Sequence, residues 1–365
     1  MTTFTDTFCL RPFTDLVFAS DKVKPCCYFL SKNNKKYDKI ENANIEVRDY
    51  IKQNKWHAGC ENCRKTEQDG NTKSHRLNFK QDYDDFDYKL FLENNFVLKN
   101  LEIRVDNNCN IACVTCFSNN STRWSAELKR MNEFDPFKNK INTDIDTLLT
   151  YEIWKNVEKL TLYGGEPMYS KKVEKILTYA VENNFSKNID VHFFSNGTLF
   201  NEKIISKFEK FKSVHIGFSV DGVHERLHVI RWPAIWEDIV KNFNKLKNIW
   251  NVHLYIIYTY SLLNACNTKE DLEVLRNIFK CPVVPNLVIN PSYYAPRHLP
   301  EYTKLRLIEH LKTEPFFEYL IAELQQIGNI KELKYGLQQL VNLDRYRNTD
   351  SSILFPPEVW AISDK

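Results

Sequence analysis

Cys109, Cys113 and Cys116 lie in one short segment with the spacing CxxxCxxC. Thiolates at this spacing can bind three irons of one iron–sulfur cluster and leave the fourth iron without a protein ligand. Clusters that only transfer electrons are normally held by four cysteines. A set of three therefore indicates that another molecule binds the open iron, much as a catalytic zinc site keeps one position free.

This motif also has two simpler interpretations, namely half of a structural zinc site or small buried side chains. Zinc sites of this type usually combine one CxxC pair with a second pair or with histidines. No histidine lies near residues 109 to 116. The spacing therefore favours the open cluster over zinc.

A second group of cysteines lies closer to the amino terminus. Cys60 and Cys63 form a CxxC pair, and Cys9 with Cys26 would complete a set of four thiolates. Four thiolates can hold either zinc or an iron–sulfur cluster, and the spacing alone does not separate these two. Cys27, directly after Cys26, is the alternative fourth ligand.

The composition limits the class of protein. The 365 residues carry a net charge of +3 with both signs mixed along the chain, so a nucleic-acid partner is not expected. The sequence contains no apolar run long enough to span a bilayer and does not begin like a signal peptide, so a cytoplasmic location without membrane contact is expected. In that compartment, ten cysteines indicate metal or redox chemistry rather than disulfides.

Short β-rich runs alternate with longer helical patterns from about residue 101 onward. Six runs are predicted to be parallel strands because several are almost continuously apolar. They are Leu101–Val105, Lys159–Tyr163, Ile189–Phe194, Val214–Val220, Val252–Tyr260 and Pro285–Ile289. Amphipathic helices are predicted near Thr122–Met131, Lys171–Glu182, Glu202–Phe211, Ile235–Ile249 and Thr268–Phe279. Asn201 and Asn267 are the predicted N-caps of the third and fifth helices.

This alternation predicts an α/β fold whose right-handed crossovers curl the parallel strands into a barrel. Fewer than eight units are present, so we expect a partial (β/α)6 TIM-like barrel, with a doubly wound sheet as the alternative. In both folds catalytic groups gather at the carboxyl ends of strands, where the three-cysteine segment lies. The predicted domains are a small cysteine-rich domain (1–95), the barrel (96–300) and a C-terminal helical extension (301–365). The extension is predicted to contain helices over Glu301–Ile327 and Ile330–Leu343, followed by an irregular tail.

Glycine and polar residues follow three of the other predicted strands. Gly164 and Gly165 allow close approach to a ligand because they lack a Cβ atom, and the carboxylate of Glu166 could bind an ammonium group. By itself this segment is better explained as a strand-to-helix turn, but its position one βα unit after the cysteine segment reverses that preference.

The next two predicted strands end in hydroxyl and amide groups that suit a ribose. These groups belong to Ser195, Asn196 and Ser219, although each segment could also be turn chemistry without a ligand. Arg231 could bind a carboxylate through its planar guanidinium, or it could be an ordinary surface arginine.

In this order, the cysteine motif, Gly164-Gly165-Glu166-Pro167, Ser195-Asn196-Gly197 and the segment from Ser219 to Gly222 resemble the radical SAM superfamily over roughly residues 100 to 300. The resemblance implies that Cys109, Cys113 and Cys116 bind a [4Fe–4S] cluster, whose fourth iron binds the amino and carboxylate groups of S-adenosylmethionine (SAM). It further implies that Gly164, Gly165 and Glu166 receive the ammonium, that Ser195, Asn196 or Ser219 faces the ribose, and that Arg231 binds the carboxylate. Thr115 is a departure, because the residue before the third cysteine is usually aromatic in this family.

The amino-terminal cysteines are similar to the SPASM/Twitch domains that carry an auxiliary [4Fe–4S] cluster in many radical SAM enzymes. The resemblance implies that Cys9, Cys26, Cys60 and Cys63 are the ligands. It favours Cys26 over Cys27 as the second of these ligands. Asp21 stands where such domains usually have a glycine, and the domain precedes the barrel instead of following it.

The resemblance implies reductive cleavage of SAM to a 5′-deoxyadenosyl radical that takes a hydrogen atom from a substrate. We expect this substrate to be a peptide or protein side chain, which would be oxidised or cross-linked, and the electron donor to be a flavodoxin or ferredoxin. The alternatives are a small-molecule substrate, such as a sugar, nucleotide or amino alcohol, and a non-catalytic iron–sulfur or zinc protein. No catalytic acid or base is assigned.

Overall fold

The strands of the protein form one sheet. The computed structural model describes residues 5–19, 22–30, 42–68, 74–79, 85–135, 141–199 and 201–363. The strands are β1 (Asp15–Ala19), β2 (Lys22–Lys24), β3 (Asn100–Arg104), β4 (Lys159–Tyr163), β5 (Asp190–Ser195), β6 (Ser213–Ser219), β7 (Val252–Tyr260) and β8 (Val283–Leu287). Their order in the sheet is β2-β1-β3-β4-β5-β6-β7-β8. Only the β1–β2 pair is antiparallel among these described strands.

The six predicted strands correspond to β3 through β8. Since their order in the sheet follows the chain, each connection leads to the neighbouring parallel strand, as in a partial TIM-like barrel. The predicted fold class is therefore confirmed. Within the described residues β2 and β8 are the two edges of the sheet, so the barrel is open between them.

Helices cover the outer face of the sheet and form the carboxyl-terminal part of the chain. They are α1 (Arg11–Thr14), α2 (Ile45–Lys52), α3 (Glu61–Gln68), α4 (Asp85–Glu93), α5 (Thr122–Arg130), α6 (Tyr151–Trp154), α7 (Lys171–Glu182), α8 (Glu202–Ile205), α9 (His224–Ile230), α10 (Trp236–Lys247), α11 (Thr268–Phe279), α12 (Glu301–Leu311), α13 (Glu318–Leu324), α14 (Ile330–Arg347) and α15 (Pro357–Trp360). None of the helices described has the length and apolar character needed to cross a membrane.

The barrel core lies between the sheet and these helices. On α7, Val173, Ile176, Leu177 and Ala180 are buried at helical spacing and join the main hydrophobic cluster. On β5, buried residues alternate with more accessible ones, so every second side chain points into the open barrel. The strand residues that face inward are therefore the ones that can reach a ligand.

Several details of the predicted helices were wrong. The tail that was predicted to be irregular contains a 3₁₀ turn and α15. The helix predicted over Glu202–Phe211 ends at Ile205 and is followed by a short 3₁₀ turn. The helix predicted over Glu301–Ile327 is interrupted between α12 and α13, where Pro315 begins another 3₁₀ turn. The side chain of Asn267 does not cap α11 but donates to the carbonyl of Leu354 at 2.9 Å.

The amino-terminal region both adds to the barrel sheet and has a core of its own. The strand β1 pairs in parallel with β3, which the sequence analysis did not predict. A separate hydrophobic cluster lies beside the amino-terminal cysteines and contains Phe8, Phe13, Phe29, Val47, Ile51, Leu90 and Phe91. The division into domains at residues 95 and 300 stays a prediction.

Candidate active site

Cys109, Cys113 and Cys116 line one cavity of about 710 Å³. The same cavity is lined by residues at the carboxyl ends of β3 to β8, including Arg104, Tyr163 and Ser219. Within the described residues its lining includes no further cysteine and no histidine, aspartate or glutamate. The three thiols therefore have no fourth protein ligand beside them in this cavity.

Most of the predicted cofactor-binding residues line the same cavity. These are Gly164, Gly165, Ser195, Asn196, Ser219 and Arg231. Glu166 is not part of the lining.

The carboxylate of Glu166 is fully engaged by the protein. Its Oε1 accepts hydrogen bonds from the Met168 amide at 3.0 Å and the Ser195 hydroxyl at 2.9 Å, and its Oε2 accepts one from the Asn196 amide at 2.6 Å. Burial raises the pKa of Glu166 to about 7 against the opposing effect of these hydrogen bonds. The carboxylate thus joins the end of β4 to the end of β5.

The two glycines before Glu166 lie directly against the cysteine segment. A Cβ atom on Gly164 would be 2.4 Å from the carbonyl oxygen of Asp106, and one on Gly165 would be 2.3 Å from that of Asn108. The Gly165 amide donates to the Asp106 carbonyl at 3.0 Å. Glycine is required here by this close backbone approach, which places the segment next to β4.

Asn196 and Arg231 contact the cysteines themselves. The Asn196 amide group donates to Asn110 Oδ1 at 3.0 Å and lies 3.9 Å from Cys109 Sγ. The guanidinium of Arg231 forms an ion pair with Asp221 at 2.6 Å and lies 3.7 Å from Cys113 Sγ. Its buried Nε has no hydrogen-bond partner among the described residues.

The amino-terminal cysteines form a second, smaller site. Cys9, Cys26, Cys60 and Cys63 line one cavity together with Arg11, His75 and Arg76, whereas Cys27 does not line it. Cys27 is exposed, and its Sγ lies 3.7 Å from His75 Nε2.

Residues around this second site hold its walls together. Arg76 lies over the Trp56 ring, 5.2 Å from its centroid, and donates to the Phe8 carbonyl at 2.8 Å. Ser74 donates to Glu67 at 2.6 Å. Asp21, where the sequence departs from the SPASM/Twitch pattern, lies outside the described residues.

The sequence analysis missed Arg104 and Tyr163, which also line the main cavity. They are the last residues of β3 and β4 and are opposite each other in the sheet. The alternation of inward and outward side chains along the strands was a signal that could have identified them. Burial raises the pKa of Tyr163, so its hydroxyl is a neutral donor and acceptor in the cavity.

Comparison with known proteins agrees with this geometry. Residues 103–275 match the family model described as the Radical SAM superfamily. This segment, somewhat less than half of the chain, is therefore identified as a radical SAM domain. A radical SAM domain implies a [4Fe–4S] cluster and SAM.

Two curated relatives are similar to parts of the chain. An uncharacterised protein of Methanocaldococcus jannaschii, MJ0907, is 35% identical over 127 residues, which are 34% of this chain and 40% of the relative. The radical SAM cyclopropyl synthase TigE of Paramaledivibacter caminithermalis is 27% identical over 210 residues, which are 54% of this chain and 43% of TigE. The chain therefore spans less than half the length of either relative.

A solved structure of anSMEcpe with bound AdoMet and the Cp18Cys peptide is weakly similar. It aligns with a TM-score of 0.44 and 15% sequence identity, over 70% of this chain and 67% of anSMEcpe.

The residues of the main cavity fit the cofactors that the family implies. Three thiols without a fourth protein ligand match a cluster with one open iron. The unpaired Nε of Arg231 is a buried donor that suits an anionic group. Burial raises the pKa of Cys116 to about 12, so this thiol is neutral without metal and would be deprotonated on binding it.

We predict that Gly165→Ala disturbs the cysteine segment, because the new methyl group would collide with the Asn108 carbonyl. Overpacking of this kind costs about 1–3 kcal/mol. Iron content after anaerobic reconstitution and the midpoint of unfolding should both fall. Gly222→Ala is the matched control, since its Cβ would have its nearest neighbour at 3.3 Å. Wild-type iron content in Gly165→Ala would show that close packing is not needed there.

We also predict that Cys26→Ala removes the iron of the amino-terminal site whereas Cys27→Ala retains it, because only Cys26 lines that cavity. Iron and sulfide analysis should show about four irons fewer in the first variant if the site holds a [4Fe–4S] cluster. Equal losses in both variants would contradict this assignment.

Proposed function

We propose that the protein cleaves SAM reductively at a [4Fe–4S] cluster held by Cys109, Cys113 and Cys116 and uses the radical to oxidise a peptide or protein side chain. The observation that carries the first part is the cavity in which three thiols lack a fourth protein ligand and lie beside Gly165 and Arg231. When bound, the cluster supplies the electron and SAM supplies the 5′-deoxyadenosyl radical.

The protein's own residues would bind and orient SAM. Arg231 would bind the methionine carboxylate through its unpaired Nε, while Asp221 holds the guanidinium in place. The backbone of Gly164 and Gly165 would face the ammonium, because the Glu166 carboxylate is occupied by three protein donors. Glu166 would act indirectly, by fixing Asn196 at the cavity wall. Ser219 remains the proposed contact to the ribose.

We propose a second [4Fe–4S] cluster at the amino-terminal site. A single zinc ion binds thiolates at about 2.3 Å and needs its sulfurs about 4 Å apart. A [4Fe–4S] cluster accepts one thiolate at each of four irons, and the four cysteines line one cavity. The similarity of these cysteines to the SPASM/Twitch pattern favours the cluster over zinc.

A peptide that the enzyme oxidises is the substrate that these features favour. The main cavity opens beside apolar side chains with high exposure, Phe194 at 43% and Ile289 at 78%, which could contact a chain extending beyond the cavity. An auxiliary cluster could accept an electron from a substrate radical and so complete a two-electron oxidation. The relative TigE is named a cyclopropyl synthase, and closure of a carbon ring by loss of two hydrogens is a reaction of this kind.

SAM cleavage is the first measurement. Anaerobically reconstituted protein given dithionite and SAM should release 5′-deoxyadenosine, whereas Cys113→Ala should release none because one iron loses its ligand. Cys281→Ala is the control, since this cysteine lines neither cavity. A correctly loaded protein that never releases the product would favour the non-catalytic iron–sulfur protein instead.

The substrate class needs a separate measurement. Peptides encoded beside the gene should lose two hydrogen atoms when incubated with the reduced enzyme and SAM, as seen by mass spectrometry. The Cys26→Ala variant should still cleave SAM but form little of this product, because the auxiliary cluster would be missing. SAM cleavage that modifies a sugar, nucleotide or amino alcohol and leaves every peptide unchanged would contradict the peptide proposal.

A further inference from the structure

The cysteine segment, residues 109–116, contains neither a helix nor a strand. Its backbone is held by groups from other parts of the chain. At the start of α5, the Thr122 hydroxyl accepts from the Cys109 amide at 3.3 Å, and the Ser121 hydroxyl donates to the Ile111 carbonyl at 2.7 Å. The segment thus depends on outside partners for its conformation.

The end of α9 and the loop after it bind the middle of the segment on another side. The Ala112 amide donates to the Trp232 carbonyl at 2.7 Å, and the Val114 amide donates to the Ile230 carbonyl at 2.8 Å. Neither bond involves the carbonyl of Ala112, which is bound by a different part of the protein.

Arg347, the last residue of α14, binds that carbonyl. Its Nη2 donates to Ala112 at 2.9 Å and to Glu127 Oε2 at 2.7 Å, and its Nε donates to the same carboxylate oxygen at 3.1 Å. The side chains of Arg347 and Glu127 are only 1% and 3% exposed. Arg347 lies outside residues 103–275, which match the family.

Two indole rings enclose this guanidinium. Its central carbon lies 4.8 Å from the centroid of the Trp124 ring and 5.1 Å from that of Trp232. Trp124 in turn donates its ring N–H to the Cys113 carbonyl at 2.7 Å. Arg347 therefore contacts Ala112, the residue before Cys113, and it also stacks on Trp124, which binds the Cys113 carbonyl.

A buried ion pair is weak evidence for stability, since apolar residues of similar size often replace such pairs without loss. Here, however, the arginine also satisfies the buried carbonyl next to a cluster ligand. Removing that donor leaves the carbonyl unpaired or lets the segment move. The function of the pair is thus better sought in the position of Cys113 than in overall stability.

We propose that Arg347 is a positioning residue for the SAM-binding cluster, holding Ala112 so that Cys113 presents its sulfur in the correct place, and that the C-terminal extension is therefore part of the cluster site. This inference rests on the proposed cluster at Cys109, Cys113 and Cys116.

The test is the double variant Arg347→Met with Glu127→Met, in which no buried charge is left unpaired. Its unfolding midpoint and amino-terminal iron should stay close to wild type. The SAM-site cluster is recognised by the change of its EPR signal when SAM is added. The variant should bind this cluster more weakly, or cleave SAM more slowly, by roughly 10- to 100-fold.

Two further variants separate positioning from general stability. Arg347→Lys with Glu127 unchanged retains the charge and one donor, so it should recover part of the wild-type EPR signal. The control replaces Arg297 and Glu323 by methionine, since this pair, bonded at 2.5 and 2.9 Å, joins the chain before α12 to α13 and does not contact the cysteine segment. The control should leave the SAM-site cluster unchanged.

A double variant at 347 and 127 with the wild-type EPR signal and the wild-type rate of SAM cleavage would overturn the inference, as would equal loss of both clusters. Failure of the proposed function would look different. Wild-type protein with a loaded cluster would then cleave no SAM, while iron content and EPR would still report the effect of Arg347.

Discussion

The position of three thiols depends on a backbone segment that forms no helix or strand. Such a segment must satisfy its N–H and C=O groups elsewhere when it is buried. In this protein the partners come from the start of α5, from the end of α9 and the loop after it, and from the end of α14. These elements are far apart in sequence. The position of the three thiols therefore depends on the barrel together with α14, although the three cysteines lie within eight residues of one another.

The same constraint explains why Glu166 is buried. A carboxylate with three protein donors is poorly suited to receive a ligand, but it is well suited to fix two neighbouring strand ends at a set distance. Gly164, Gly165 and Asn196 are placed by this arrangement. Glu166 thus maintains the shape of the cavity wall, whereas the adjacent Gly164 and Gly165 are the proposed contacts to the cofactor.

Much of the barrel could be predicted from the sequence because buried parallel strands consist largely of apolar residues. Val252–Tyr260 was predicted with both of its observed ends. The strand β1 was missed because it is not followed by a helical pattern that would mark a βα unit. Pro315, in contrast, was a visible signal for the break between α12 and α13.

The two cysteine sets could be proposed as metal sites from the sequence because metal ligands are few in kind and are spaced regularly. Arg347 was not, since a single arginine near the end of a helix resembles any other surface cation. Its role follows from contacts with Ala112 and Glu127, which lie 235 and 220 positions earlier in the chain. Long-range contacts of this kind leave no local pattern.

The parallel pairing of β1 with β3 links the two cysteine sites mechanically. Five register pairs join these strands, Asp15 with Asn100 through Ala19 with Arg104. One strand leads from the region of Cys9 and the other leads into the segment of Cys109. Electron tunnelling weakens steeply with separation, so a shared sheet would give any exchange between the two sites a constant path length. A flexible tether would instead make that rate fluctuate with every excursion of one lobe relative to the other.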